Sequence, residues 1–360
     1  MPTIWAKDSV LDGDNTSLQK MIPMRGVFYE TVEVGHLVDK MEESIGVSLE
    51  GIVFAAHKRA IRRFFGGTVK GLSGALVKAA VPKLIYDQEG KVAPLFGVGL
   101  MEMSSYRRGG PLIVEARNAW NERLLAAEVA GAFEAVERGD VECDVGVERS
   151  GEGVRFTARG AAREREEYRG RFVPLTGTLM GTAAYPRCHV CGAPVSFQVF
   201  RWERERGEIK ERDNGLRVVH LTVACIDGML QEMIEELGED LRDLAVRVEA
   251  DYVRERVLSG AYEAVREGDE GAGESAPGKP GADEVRRYFD YLSLIRRRCL
   301  GNPIYVKAGP EGLTVHVRNP ANDQMLAGRA LGTFEAVSGV AGRVEAERDG
   351  GTLRLRVSPA

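Results

Sequence analysis

Cysteine and asparagine are scarce in this chain, and long apolar runs are missing. Five cysteines in 360 residues, at Cys143, Cys188, Cys191, Cys225 and Cys299, are too few and too scattered for a disulfide framework. No apolar run approaches the roughly 18 residues a membrane helix needs, and the start, MPTIWAKDSV, has no basic region followed by an apolar stretch. The expected setting is therefore cytoplasmic. A surplus of one charge sign is missing too: 49 Lys and Arg stand against 54 Asp and Glu, a formal net charge of −5, so no global field draws in nucleic acid or an acidic membrane. Motifs for catalysis are equally thin. There is no Ser/His/Asp pattern and no paired-carboxylate motif. The stretch GGTVKGLSG (66–74) has glycines and a lysine without phosphate-loop spacing. The catalytic residues are thus unknown, and a non-enzymatic role is the first expectation.

What the chain does have is one sentence written twice. RNAWNERLLAAEVAGAFEAV (117–136) returns 201 positions later (318 − 117) as RNPANDQMLAGRALGTFEAV (318–337). The echo extends both ways. Upstream, GGPLIVEARN matches PEGLTVHVRN, a Gly turn followed by an alternating strand. Downstream, VERSGEGVRF and AERDGGTLRL both spell a hairpin around a Gly turn. Further upstream, two helical patterns break near Gly46 and Gly238. Each unit is expected to run helices, two strands, a helix and two strands, giving an α+β chain of tandem repeats. The expected limits are an N-terminal extension over 1–23, unit one over 24–165, a hairpin module over 166–216 and unit two over 217–360. A Gly/Pro/Ser/acid stretch at about 268–282 reads as a mobile loop. Such a repeat suggests a pseudo-twofold pairing of the units, with a homo-oligomer as a further option.

Within the repeated sentence, Asn118 and Asn319 are expected to cap the helix, with Pro320 in its first turn. Phe133 and Phe334 are expected in equivalent core sites. Seven asparagines occur in all, and four lie in the two copies. Capping leaves Arg117, Arg318, Asn121 and Asn322 unexplained. Either they finish the strand end and the first helical turn, or they present a helix N-terminus to an anionic ligand.

YPRCHVCGAP places Cys188 and Cys191 in the turn of half a zinc knuckle. Zinc needs four ligands, and His189, His220, Cys225 or the same pair from a second chain could supply the rest. A redox dithiol or plain thiols are the alternatives.

The order FGVGLMEM, VEARN, AGAFEAV and a hairpin from about Val141 resembles the 4-vinyl reductase-type domain, across about 27–158 and more faintly about 218–357. The resemblance implies helices packed on an antiparallel sheet around an apolar pocket, which would draw on Phe54, Phe64, Phe65, Leu95 and Phe96. It also implies a small apolar or aromatic ligand, with Glu142 and Cys143 starting the family's last-hairpin motif. The closing cysteine is absent, since Val154 stands in its place and the second copy has no cysteine there. A small-molecule-binding or sensory protein is the leading expectation. An accessory enzyme for an aromatic or tetrapyrrole-like substrate and a protein-interaction scaffold are the alternatives.

Overall fold

The computed structural model describes residues 26–70, 89–137, 142–161, 195–262, 282–309 and 311–360, with positions 6–7, 10–11, 86–87 and 189 besides. Unit one runs β1 (Gly26–Glu30), α1 (Thr31–Ile45), α2 (Glu50–Lys70), a helical stretch at 89–96, β2 (Leu100–Tyr106), β3 (Leu112–Arg117), α3 (Glu122–Glu137), β4 (Glu142–Ser150) and β5 (Gly153–Ala161). A hairpin of β6 (Phe200–Glu203) and β7 (Glu208–Glu211) follows. Unit two runs β8 (Arg217–Thr222), α4 (Val223–Leu237), α5 (Asp240–Leu258), α6 (Ala282–Arg297), β9 (Asn302–Gly309), β10 (Gly312–Arg318), α7 (Asp323–Ser338), β11 (Gly342–Asp349) and β12 (Thr352–Pro359). The fold is α+β, and its three four-stranded sheets are antiparallel.

The succession of elements is the same in both units, and so is the sheet order, β2-β3-β5-β4 in one and β9-β10-β12-β11 in the other. Alternation explains these strands: Leu112, Val114 and Ala116 face inward, as do Leu313, Val315 and Val317, beneath α3 and α7. The third sheet joins the units, with the order β1-β8-β7-β6. The hairpin expected as a separate module is therefore continuous with strands of both units. All five residues of β1 are buried. Such a run, covered on both faces, gives no period-2 signal, and only the structure shows it as a strand.

The pairing of β1 with β8 is symmetric. Helices α1 and α4 start 192 positions apart (223 − 31), and Phe28 pairs with His220, its own counterpart by that spacing (220 − 28). A local twofold axis therefore passes through the Phe28–His220 pair. The helices repeat the relation. Gly131 of α3 meets the Lys58 carbonyl of α2, where a Cβ would lie 2.5 Å away, and Gly332 of α7 meets the Ala250 carbonyl of α5 at 2.2 Å. Lys58 and Ala250 are again 192 apart. The repeated glycine is a close-approach position, since any larger residue would push the helices apart.

The repeated FEAV carries a second shared contact. Glu134 accepts the Cys143 N–H at 3.1 Å and pairs with Lys58 and Arg62. Glu335 accepts the Gly342 N–H at 3.0 Å and pairs with Arg247 and Arg254. Each buried carboxylate ties the end of its helix to the next strand and to the helix behind. One continuous apolar core runs through both units.

Where the units meet, the helix starts are charged. Glu30 donates its N–H to the Glu33 carboxylate at 3.1 Å, closing the first turn of α1. The Glu30 carboxylate takes Arg298 at 2.9 Å, Arg256 at 2.9 Å, and the hydroxyls of Tyr262 and Tyr252 at 2.7 and 2.8 Å. Arg298 also holds Glu211 at 2.8 Å, and Arg329 holds Glu33. Burial alone would raise the Glu30 carboxyl, but Arg298, the two hydroxyls and Arg256 hold it down at about 2. Unit one, the hairpin and unit two are thus fastened at one buried point.

Candidate functional site

The two repeated asparagines exchange the roles expected of them. Helices α3 and α7 begin at Glu122 and Asp323, three residues later than expected, and the caps are Asn121 and Asn322. Asn121 Oδ1 accepts the Leu124 N–H at 3.0 Å, and Asn322 Oδ1 accepts the Met325 N–H at 2.9 Å. Asn118 and Asn319 instead adopt left-handed backbone, with φ of 54° and 51°. Asparagine tolerates that region better than most residues, which lets the chain turn sharply between strand and helix. Pro320 therefore precedes the cap and does not sit inside the helix.

Arg117 and Asn121 do not share a site. Arg117 is exposed at the end of β3 and lines an open groove of about 750 Å³ across the sheet with Glu115, Glu152 and Arg155. Of those charges, Arg155 pairs with Glu115 across the strands at 2.9 Å. Arg318 is likewise exposed at the end of β10. Asn121 lines a different groove of about 400 Å³ in unit one, at the N-terminus of α3. The walls of this second groove are Val34 and Val38 of α1, Val53 and Phe54 of α2, Ala119 and Leu124. Polar groups line it as well. The buried Trp120 lines it, and its indole Nε1 has no hydrogen-bond partner among the described residues. Arg123 and Arg149 stand at the rim, pairing at 3.4 Å with Asp39 and at 3.1 Å with Glu122. This groove is half open and lined by both apolar and polar groups, and it ends at a helix N-terminus, an arrangement that can hold a small molecule.

Unit two shows how the same position looks when closed. Asn322 donates its amide to the carboxylate of Asp227 on α4. Its counterpart on α1, 192 positions earlier (227 − 35), is Gly35. A Cβ built on Gly35 would lie 3.5 Å from Asn121 Nδ2. Unit one therefore lacks the side chain that satisfies the capping asparagine in unit two.

A second pair of counterparts faces the interface. Glu33, Glu249 and Arg329 meet on one side of the axis, with Arg329 Nε 3.2 Å from Glu249. Burial and the neighbouring Glu33 raise the Glu249 carboxyl well above its ordinary range, against the pull of Arg329. The same positions on the other side are Cys225, His57 and Glu128. His57 Nε2 lies 3.2 Å from Glu128, and Cys225 lies beside the ring without a normal hydrogen bond to Nδ1. Burial opposes a charge on His57, but Cys225 and Glu128 outweigh it and push the imidazole up to about 10. The trio has the composition of a nucleophile, base and carboxylate. All three are buried, however, with Cys225 3% and His57 1% exposed, so a substrate has no path to the sulfur. His57 is held in the core by its pairing with Glu128.

Cys188 and Cys191 lie outside the described residues, as do Phe64's side chain, nearly all of the 268–282 loop and most of 1–23. His189 is exposed. The His220 ring stacks between Phe28 and Phe96, with centroids 4.7 and 5.2 Å away, and the Cys225 sulfur meets the Thr222 hydroxyl at 3.1 Å. Among the described residues no three His, Cys, Asp or Glu side chains cluster as a metal site, nor is any helix long and apolar enough to cross a membrane. Cys143 is buried at the start of β4, and burial pushes its thiol up to about 12, so it stays protonated at neutral pH. Of the expected pocket phenylalanines, Phe54 lines the groove, whereas Phe96 covers His220.

No family model matches the chain, and no curated protein or solved structure matches it either.

Proposed function

We propose that this chain is a cytoplasmic small-molecule-binding or sensory protein whose ligand lies in the unit-one groove beside Asn121. The observation that carries the reading is the difference between like positions. In unit two Asp227 satisfies the capping Asn322, while in unit one Gly35 leaves room beside Asn121, in a groove also lined by Trp120, whose indole N–H has no partner among the described residues. A mid-helix glycine costs about 1 kcal/mol relative to alanine, so the open space has a cost that ligand binding would explain. The apolar walls suit a small apolar or aromatic body, as the resemblance to 4-vinyl reductase-type domains also suggests. Unit two then completes the fold through the shared sheet and the Glu30–Arg298 network.

Ligand-observed NMR against a fragment set tests the reading. Fragments are expected to bind the wild type and to lose binding in Ala119→Trp, which fills the groove, with circular dichroism verifying the fold. A set with no binder, or binders indifferent to the filled groove, would defeat it. The turn at Cys188 and Cys191 belongs to the same proposal as a structural zinc grip. Metal analysis is expected to find about one zinc per chain, lost in Cys188→Ser and Cys191→Ser. Wild-type protein with metal at background level would remove zinc from the proposal.

A further inference from the structure

We infer that the unit-one groove takes an organic carboxylate, whose charged end occupies the place that the Asp227 side chain holds in unit two. The inference rests on the small-molecule reading above and adds the chemical class. Three observations converge on an anionic acceptor. The Asn121 cap is built like the Asn322 cap, down to the backbone N–H it accepts three residues later. In unit two the partner of that amide is a carboxylate, and in unit one the equivalent carbon is missing at Gly35. Trp120, 7% exposed, lines the groove, and behind that surface its buried indole N–H has no partner among the described residues. A buried donor without an acceptor is costly, and a ligand oxygen would remove that cost. The N-terminus of α3 favours a negative charge over a neutral oxygen.

The rim carries charges of both signs. Asp39, Glu50 and Glu122 line the groove, but Asp39 and Glu122 pair with Arg123 and Arg149. Both arginines are more than half exposed. Such exposed pairs are weak, so either guanidinium can turn to an incoming carboxylate at little cost. The apolar walls of Val34, Val38, Val53 and Phe54 then select acids with an aromatic or aliphatic body.

Calorimetric titration with phenylacetate and its neutral analogue phenylacetamide tests this. The acid is expected to bind about tenfold more tightly than the amide, the gain of one charge-assisted over one neutral hydrogen bond. Gly35→Asp places a carboxylate beside Asn121, as in unit two, and is expected to weaken phenylacetate at least tenfold while raising the melting temperature. Trp120→Phe keeps the ring, removes the N–H and is expected to weaken the acid more than the amide. Acid and amide binding equally, both blocked by Gly35→Asp, would leave the small-molecule reading intact and overturn the carboxylate. Acid binding unchanged by both variants would overturn the carboxylate at this groove. Binding of neither probe, together with an empty fragment screen, would overturn both.

Discussion

Replacing Arg298 by methionine is expected to lower the unfolding free energy by about 3–5 kcal/mol, read by chemical denaturation, because it leaves buried carboxylates without their counter-charge. Arg298 is fully buried and bridges Glu30 of unit one to Glu211 of the hairpin. Its backbone carbonyl also accepts the Phe28 N–H at 2.9 Å, so the side chain and the main chain brace the same strand. Methionine keeps most of the volume, which removes cavity formation as the source of the loss. Arg256, Tyr252 and Tyr262 still reach Glu30, and this places the expectation within the range for a broken pair, not beyond it. Adding Glu30→Gln to Arg298→Met is expected to recover part of the loss, because two neutral groups carry no uncompensated charge. A double variant that costs the sum of the singles would show that the charges do not act as a unit. Unfolding should also stay a single transition in the wild type, since the network ties both units and the hairpin together.

Much of the architecture was legible because period and punctuation are local. The breaks at Gly46 and Gly238 coincide with the ends of α1 and α4, and Gly46 takes the left-handed cap that glycine favours. The Gly151 and Gly350 turns fall where the repeated hairpins were expected. What escaped depends on partners remote in sequence. Asn118 and Asn121 are equally good cap residues on paper, and only the turn geometry decides between them. Glu30, Glu33, Glu249 and Arg298 read as solvated charges within amphipathic helices or at their ends. Nothing near them in the sequence shows that residues more than 200 positions apart neutralise one another. The groove was half legible: Asn121 was singled out for its repetition, but its importance lies in Gly35, a position that stands out only when α1 is set against α4.

Lowering the pH from 6.5 to 4 is expected to remove roughly 3 kcal/mol of stability through His220 alone, and His220→Leu is expected to flatten that arm of the curve. His220 lies between two phenylalanines, and burial lowers its imidazole from 6.5 to about 4. Between those values the unfolded chain binds a proton that the folded chain refuses, so the contribution is complete above pH 6.5 and is lost as the pH falls toward 4. Its Nε2 has no hydrogen bond among the described residues, so leucine removes a buried polar atom as well as the titration. His57 works in the opposite sense. Held near 10 by Cys225 and Glu128, it binds its proton more tightly in the folded state, and its contribution is complete below 6.5 and lost as the pH rises toward 10. Glu30 adds a further acid arm from 4.5 down to about 2, below the window that His220 controls, while Glu249, raised by burial and Glu33, and Glu89, raised by burial and Glu128 to about 8, hold their protons more tightly in the folded state above 4.5 and so oppose the His220 slope. Two histidines with the same ordinary value are thus drawn apart by their surroundings, His220 favouring the folded state toward higher pH and His57 toward lower pH. His220→Leu therefore changes the difference in midpoint between variant and wild type below pH 6.5 and leaves the alkaline side in place; denaturation midpoints across pH 4–10 that run in parallel for the two would show that His220 does not titrate as its surroundings imply.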